Sequence, residues 1–171
     1  MKTQVFLISV LAGAISALAL TAGEQPRQSQ ADDLKKVKKV SEEELNRILD
    51  KLRDDCQKML ARQIAAYDAT KGLHKIIEGA DEKKPRPEDQ QAALKLAADE
   101  MDAIKEAAKA IDMLETMTDV VAFTEEFREL RKDMKRVQRL LKNSDVGRET
   151  QAIEKDIIQT LREMISQLRP R

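Results

Sequence analysis

The sequence predicts an all-α protein: a long antiparallel helical hairpin or coiled coil, with a shorter C-terminal helix packed on it. Charged residues make up 36% of the 171 residues and aromatic residues only 2%, a composition typical of long helices rather than sheets. Apolar residues also recur at alternating spacings of three and four, which places them on one side of a helix that needs a partner. The stripes comprise Leu45, Leu49, Leu52, Cys56 and Met59; Leu94, Ala97, Met101, Ile104, Ala108 and Ile111; and Val120, Phe123, Phe127, Leu130, Met134, Val137 and Leu141.

Residues 1–22 have the pattern of an export signal. Lys2 supplies the positive start, residues 5–20 are uncharged and mostly apolar, and small residues precede the polar stretch that begins at Gly23. Cleavage is expected near Ala22. The alternative is a retained membrane anchor, because the uncharged stretch is just long enough to span a bilayer. Either way the protein is expected to be exported, to the periplasm or cell envelope or as a secreted protein.

Residues 23–40 are expected to form a flexible basic tether. They combine Gln and Ser with a cluster of lysines at Lys35, Lys36, Lys38 and Lys39, and they contain few apolar residues. If the signal were retained, this cluster could lie near a lipid surface. Contact with a membrane is expected only in that case.

The first long helix is predicted to begin at Ser41. Ser41 and Glu44 have the spacing of a capping box, in which each side chain accepts a hydrogen bond from the other residue's backbone. The helix runs to about Glu78, since Gly79 can end it. The charged, proline-containing residues that follow predict a reversal of the chain.

The second long helix is predicted from about Glu88 to Lys142, so that residues 41–142 form the hairpin. Between Ile111 and Val120 the apolar spacing changes to successive threes. This change either overwinds a continuous helix or marks a break near residues 116–119. We expect a continuous or slightly bent helix, because neither Pro nor Gly interrupts it.

Residues 143–171 are predicted to form a turn and a last helix. The turn residues are 143–147, where Gly147 would tolerate backbone angles that other residues resist. The helix spans about Glu149 to Leu168 and has a broad apolar face, so it is expected to pack on more than one helix. This face comprises Ile153, Ile157, Ile158, Leu161, Met164, Ile165 and Leu168.

One resemblance lies in this C-terminal part, over residues 140–168. It is carried by Asp145, Gly147, Thr150-Gln151, Ile153-Glu154, Asp156-Ile157-Ile158 and Leu161. With these residues the stretch resembles the C-terminal part of uncharacterised exported helical proteins of planctomycete-type bacteria. The resemblance implies an exported protein rich in coiled coil, and it carries over no activity, cofactor or functional residue.

Basic residues are concentrated at the end of the second predicted helix. The candidate face for an anionic partner comprises Arg128, Arg131, Lys132, Lys135, Arg136 and Arg139. The alternative is a solvated flank that complements acids elsewhere in the chain or in a second copy. Lys2 is the only charged residue of the signal, so the remainder carries 30 bases and 31 acids. This balance argues against a nucleic-acid-binding protein.

Residues suited to catalysis or metal binding are scarce. Cys56 is the only cysteine and His74 the only histidine, so no CxxC or HExxH pair can hold zinc, and the glycines are isolated. Cys56 lies on the first stripe, where it is expected to be a small buried hydrophobe. The alternative is an interchain disulfide between parallel copies. No catalytic, metal-binding or cofactor-binding residue is predicted.

The function predicted from the sequence is that of a non-catalytic, exported structural or interaction protein of the cell envelope. It would bind a protein partner, or a second copy of itself, through its helix stripes. The alternative is a module that binds an envelope polymer or another ligand through residues 128–142. No cofactor and no nucleic-acid partner are expected.

Overall fold

Four α-helices make up the part of the chain that the computed structural model describes, residues 42–117 and 121–168. They are α1 (Glu42–Gly79), α2 (Pro87–Leu114), α3 (Val121–Lys142) and α4 (Arg148–Gln167), and no strand occurs in this part. The predicted all-α class is confirmed. None of these described helices has both the length and the apolar character needed to cross a bilayer. The predicted signal, the tether and the Ser41 cap lie outside the described residues.

Each helix packs against two others, which makes a four-helix bundle. α1 contacts α2 and α4, and α3 contacts the same two helices, whereas the diagonal pairs of described helices make no contact. Short connections join consecutive helices, as expected for antiparallel neighbours. The side-chain pairs between α1 and α2 fit this direction, because Gln63 bonds to Glu100 and Arg62 to Glu106 across the same interface.

The prediction of one helix from Glu88 to Lys142 is wrong. α2 ends at Leu114, α3 begins at Val121, and the two pack against each other. The change to successive spacings of three lies at this break. In a continued helix, such spacings would rotate the apolar stripe away from the face that α2 buries. Beyond Leu114, the hydroxyl of Thr116 donates to the carbonyl of Met113 at 2.7 Å, a local bond that competes with the helical pattern. The predicted two-helix hairpin is therefore a three-helix stretch.

The core lies between the inner faces of all four helices. On α3 the predicted stripe is buried from Phe127 to Leu141, and on α4 the predicted face is buried apart from the half-buried Ile165. α4 contacts both α1 and α3, so the expectation that it packs on more than one helix is confirmed. Among the described residues, Phe127 is the largest side chain that is fully buried.

The predicted stripe on α2 needs a correction. Leu94 is 51% exposed and Met101 is only half-buried. The buried positions keep the alternating spacing but include smaller or polar residues. They are Ala93, Ala97, Glu100, Ile104, Ala107, Ile111 and Leu114, and beside them Asp89, Ala103 and Ala110 are also buried. Alanine at these positions lets neighbouring helices approach closely, which the larger side chains of the predicted stripe would prevent.

The turn between α3 and α4 is closed by a Schellman motif. The amide of Asp145 donates to the carbonyl of Leu140, and that of Ser144 donates to the carbonyl of Leu141, both at 2.9 Å. Ser144 takes the left-handed conformation, with a φ of 57°. Gly147, expected to supply unusual backbone angles, has a φ of −75° and instead caps α4. Its amide donates to the carboxylate of Asp145 at 3.1 Å.

Candidate functional site

An open groove of about 830 Å³ runs between α2 and α3. We call it the basic groove, because six basic and two acidic side chains line it. The bases are Lys105, Arg128, Arg131, Lys132, Lys135 and Arg139, and the acids are Asp112 and Glu115. The groove exists because the chain breaks after Leu114 and brings α3 back alongside α2.

Five of the six residues predicted for an anionic partner line the basic groove. The exception is Arg136, which is not among the residues of the groove and pairs with Glu149 of α4. Arg136 therefore fits the alternative stated from the sequence, in which a base complements an acid of the same chain. The other five face a common space.

Three of the groove's bases are engaged with acids of the same chain. Arg128 pairs with Glu115 at 2.6 Å and also with Glu125. The hydrogen bonds that Arg128 donates, above all the one to Glu115, raise the pKa of Arg128 above its already high ordinary value. Lys132 pairs with Glu129 at 3.1 Å, and Lys105 pairs with Asp102 at 2.9 Å. These pairs are exposed, so each contributes little to stability.

The other three bases of the basic groove, Arg131, Lys135 and Arg139, make no ion pair within residues 42–117 and 121–168. The Nε atom of Arg131 is buried and has no hydrogen-bond acceptor in the described part of the chain. The charges of these three bases are not balanced by ion pairs in the described part of the chain, so a negatively charged group in the groove would be attracted to them.

The floor of the basic groove is apolar. It is formed by residues of α2 (Met101, Ile104, Ala108 and Ile111). On α3, the residues from Arg128 to Arg139 recur every three or four positions, so the cations form a row about 16 Å long at 1.5 Å per residue. A row of cations beside an apolar floor can hold an extended molecule that is negatively charged on one side and apolar on the other.

A second group of polar side chains lies inside the bundle, and we call it the buried polar layer: Gln63 and Thr70 of α1, Glu100 of α2 and Glu154 of α4. All four are at most 2% exposed. Gln63 donates from Nε2 to Oε2 of Glu100 at 2.8 Å. Thr70 donates from Oγ1 to Oε1 of Glu154 at 2.7 Å. The two pairs therefore link α1 to α2 and to α4.

The two carboxyl groups of this layer are unusual. Burial raises the pKa of Glu100 to about 7, partly opposed by the hydrogen bond from Gln63, and the charge of Glu154 raises it further. Burial likewise raises the pKa of Glu154 to about 7, against the effect of the bond from Thr70. Oε1 of Gln63, Oε1 of Glu100 and Oε2 of Glu154 have no hydrogen-bond partner in the described structure.

The buried polar layer is missing from the sequence-based predictions, although the sequence contains a signal for it. Continuing the first stripe beyond Met59 with spacings of four and three reaches Gln63 and then Thr70. Continuing the stripe of α4 backwards from Ile157 reaches Glu154. Polar residues at stripe positions point to a polar layer within the core.

Cys56 lies in the core and its side chain is not exposed. Burial, with a smaller effect from Asp55, raises the pKa of its thiol to about 12. This placement is that of the small buried hydrophobe that the stripe predicts. An interchain disulfide would require the bundle to open at Cys56. His74 is half-buried on α1. Among the described residues, no group of three or more His, Cys, Asp or Glu side chains is placed to hold a metal ion.

No protein-family model, curated protein or solved structure matches the chain. The resemblance of residues 140–168 to planctomycete-type exported proteins stays a prediction.

Proposed function

We propose that this protein is a non-catalytic, exported interaction protein of the cell envelope, and that it binds an acidic amphipathic helix of a partner protein in the basic groove. The observation that carries the proposal is the group formed by Arg131, Lys135 and Arg139. These cations lack acidic partners in the described structure and line one groove above an apolar floor.

The helix stripes themselves are less suited to a partner than the sequence alone indicates. On α3 the stripe is buried from Phe127 to Leu141, and on α2 the stripe positions Ala97, Ile104 and Ile111 are buried. A partner that used these residues would have to open the core. The basic groove needs no such opening, because it lies between the outer sides of α2 and α3.

The apolar floor favours a protein helix over a purely anionic polymer. An amphipathic helix repeats its side chains every three or four residues, which matches the spacing of the bases on α3. Its apolar face could cover Met101 and Ala108, which are half-buried, while its acids pair with the cations. An envelope polymer that carries only negative charge would leave this floor exposed, and it is the second candidate.

The test uses a charge reversal confined to the unpaired bases, Arg131→Glu, Lys135→Glu and Arg139→Glu. The control reverses the same number of charges at Lys75, Lys95 and Arg162, which are exposed bases outside the groove. Binding is measured with two labelled probes, a helical peptide with Glu on one face and Leu on the other, and polyglutamate.

We expect the wild type and the control to bind the amphipathic peptide, and the groove variant to lose at least about tenfold in affinity, since each lost charge pair costs on the order of 0.5 kcal/mol and reversal adds repulsion. Polyglutamate should bind more weakly than the amphipathic peptide. Tighter binding of polyglutamate would favour the polymer alternative. Equal loss in the groove variant and the control would contradict a specific site.

Export is tested separately, because it depends on residues 1–22 rather than on the groove. Expression in a Gram-negative host, followed by fractionation and N-terminal sequencing, should find the protein outside the cytoplasm, beginning near Gly23. A full-length chain in the membrane fraction would support the retained anchor instead.

A further inference from the structure

We propose that a cavity between α1 and α2 binds a small molecule with a primary ammonium group and a short apolar stem, and that Glu100 and Gln63 hold the ammonium. The cavity has a volume of about 410 Å³ and lies on a different face of α2 from most of the basic groove. Its proposed ligand is a cation, opposite in charge to the proposed ligand of the groove.

Two of the residues that line the cavity carry acceptors without donors in the described chain. Gln63 and Glu100 both line the cavity and are 1% and 2% exposed. They bond to each other through Nε2 and Oε2, which leaves Oε1 of each without a partner. An ammonium group has three N–H donors and no acceptor, so it can bond to both oxygens at once.

The charges around the cavity also favour a cation. Asp99, Glu100 and Asp102 line it together with one base, Arg62. Arg62 donates to Glu106 at 2.8 Å, and Asp102 pairs with Lys105 at 2.9 Å, which leaves Asp99 and Glu100 as the lining acids without an ion pair in the described chain. A ligand ammonium would therefore enter a site with an excess of negative charge.

The remaining wall is made of small apolar residues, which suits a short alkyl stem. It comprises Ala65, Ala66 and Ala69 of α1 and Leu96 and Ala103 of α2. The cavity is there because alanines occupy this stretch of both helices, where larger residues would fill the space. Burial of each methylene of the stem contributes about 0.8 kcal/mol.

Protonation of Glu100 competes with the ligand. Burial and the charge of Glu154 raise the pKa of Glu100 to about 7, whereas an alkylammonium keeps its charge well above this pH. The other charged groups near Glu100 are Arg62 on α1 and Asp99 and Asp102 on α2, which line the same cavity, and Glu154 on α4. Binding should therefore strengthen by about tenfold between pH 6 and pH 8, as Glu100 loses its proton.

The experiment measures the binding of n-butylamine by calorimetry, with n-butanol as the uncharged probe. We expect saturable binding of n-butylamine at pH 8 and none of n-butanol. Glu100→Gln keeps the shape of the side chain and removes its charge, and it should weaken binding at pH 8 by at least about tenfold. The matched control is Glu154→Gln, a buried Glu that does not line the cavity, and it should bind within about twofold of the wild type.

A second variant tests the same cavity in case Glu100→Gln does not fold. Ala66→Leu adds bulk to the cavity and leaves Gln63 and Glu100 in the sequence, and circular dichroism checks that it is folded. It should also abolish binding. The proposal is overturned if n-butylamine does not bind at pH 8, if n-butanol binds equally well, or if the folded Ala66→Leu variant binds as tightly as the wild type.

Discussion

Ser144 has a backbone conformation that glycine adopts more easily than serine. Its φ of 57° lies in the left-handed region, which costs a residue with a Cβ atom about 1 kcal/mol relative to glycine. Ser144→Gly should therefore stabilise the protein by about 1 kcal/mol, less the entropy that glycine adds to the unfolded chain. Chemical denaturation measures the change.

Asn143→Gly is the matched control for Ser144, because Asn143 is its neighbour and has no positive φ. It should leave stability unchanged or lower it. Stabilisation by Asn143→Gly that equals that of Ser144→Gly would show that the left-handed conformation is not the cause.

Cys56 should react with a thiol reagent only when the bundle opens. Its side chain is fully buried and burial raises the pKa of the thiol to about 12, so the folded protein has almost no accessible thiolate at pH 8. Labelling with a disulfide reagent should be at least about a hundredfold slower than after denaturation.

The control for this labelling is a chain with Cys56→Ala and Gln57→Cys, which moves the thiol to an exposed neighbour. It should react at once. Non-reducing electrophoresis of the wild type, under oxidising conditions, should show a monomer. A dimer band that disappears on reduction would support the interchain disulfide.

At the scale of the helices, the buried polar layer predicts a dependence of stability on pH. The pKa of Glu100 and of Glu154 is about 7 in the folded chain, against an ordinary value of 4.5. Between these values the folded state binds more protons than the unfolded state, so stability falls as pH rises. We expect a loss on the order of 5 kcal/mol for the two groups together between pH 5 and pH 8, measured by urea denaturation.

The double variant Glu100→Gln and Glu154→Gln tests whether these two groups cause the loss. It should be more stable than the wild type at pH 8, and its stability should change little between pH 5 and pH 8. Glu82→Gln, at an exposed residue of the α1–α2 connection, is the control and should behave as the wild type. A wild type that becomes more stable as pH rises would contradict the assignment.

The helices could be predicted from the sequence to within a few residues, except at one point. Apolar spacing and Pro87 place the start of α2, and the turn residues place the end of α3. The break after Leu114 could not be decided, because residues 115–120 contain neither Pro nor Gly. Whether such a stretch continues as a helix depends on how much stability the packing of α3 back on α2 provides.

The candidate sites were predictable to different degrees. The cluster of bases on α3 can be found in the sequence. Which of these bases line the groove beside α2, and that Arg136 instead pairs with Glu149 of α4, depends on where α2 and α4 lie. The burial of Glu100 is not predicted, because the apolar spacing in the sequence places Met101 rather than Glu100 on the stripe of α2. Its pairing with Gln63 is not predicted either, because that pairing is set by the register between α1 and α2.

At the scale of the whole molecule, the break between α2 and α3 decides the architecture. With it, the described chain is a bundle in which every helix has two neighbours. Without it, α2 and α3 would be one rod, and the basic groove would not exist. The proposed binding of an acidic helix therefore depends on this reversal of the chain.

The most direct test of this account is a distance between spin labels at Leu94 and Lys142, measured by pulsed electron paramagnetic resonance in a Cys56→Ala background. Both residues line one groove between α2 and α3. Packed helix axes lie about 10 Å apart, so the labels should be within roughly 25 Å. A continuous helix would separate them by about 70 Å at 1.5 Å per residue. Dilution with unlabelled protein removes signals between molecules, and a long distance that survives dilution would contradict the bundle.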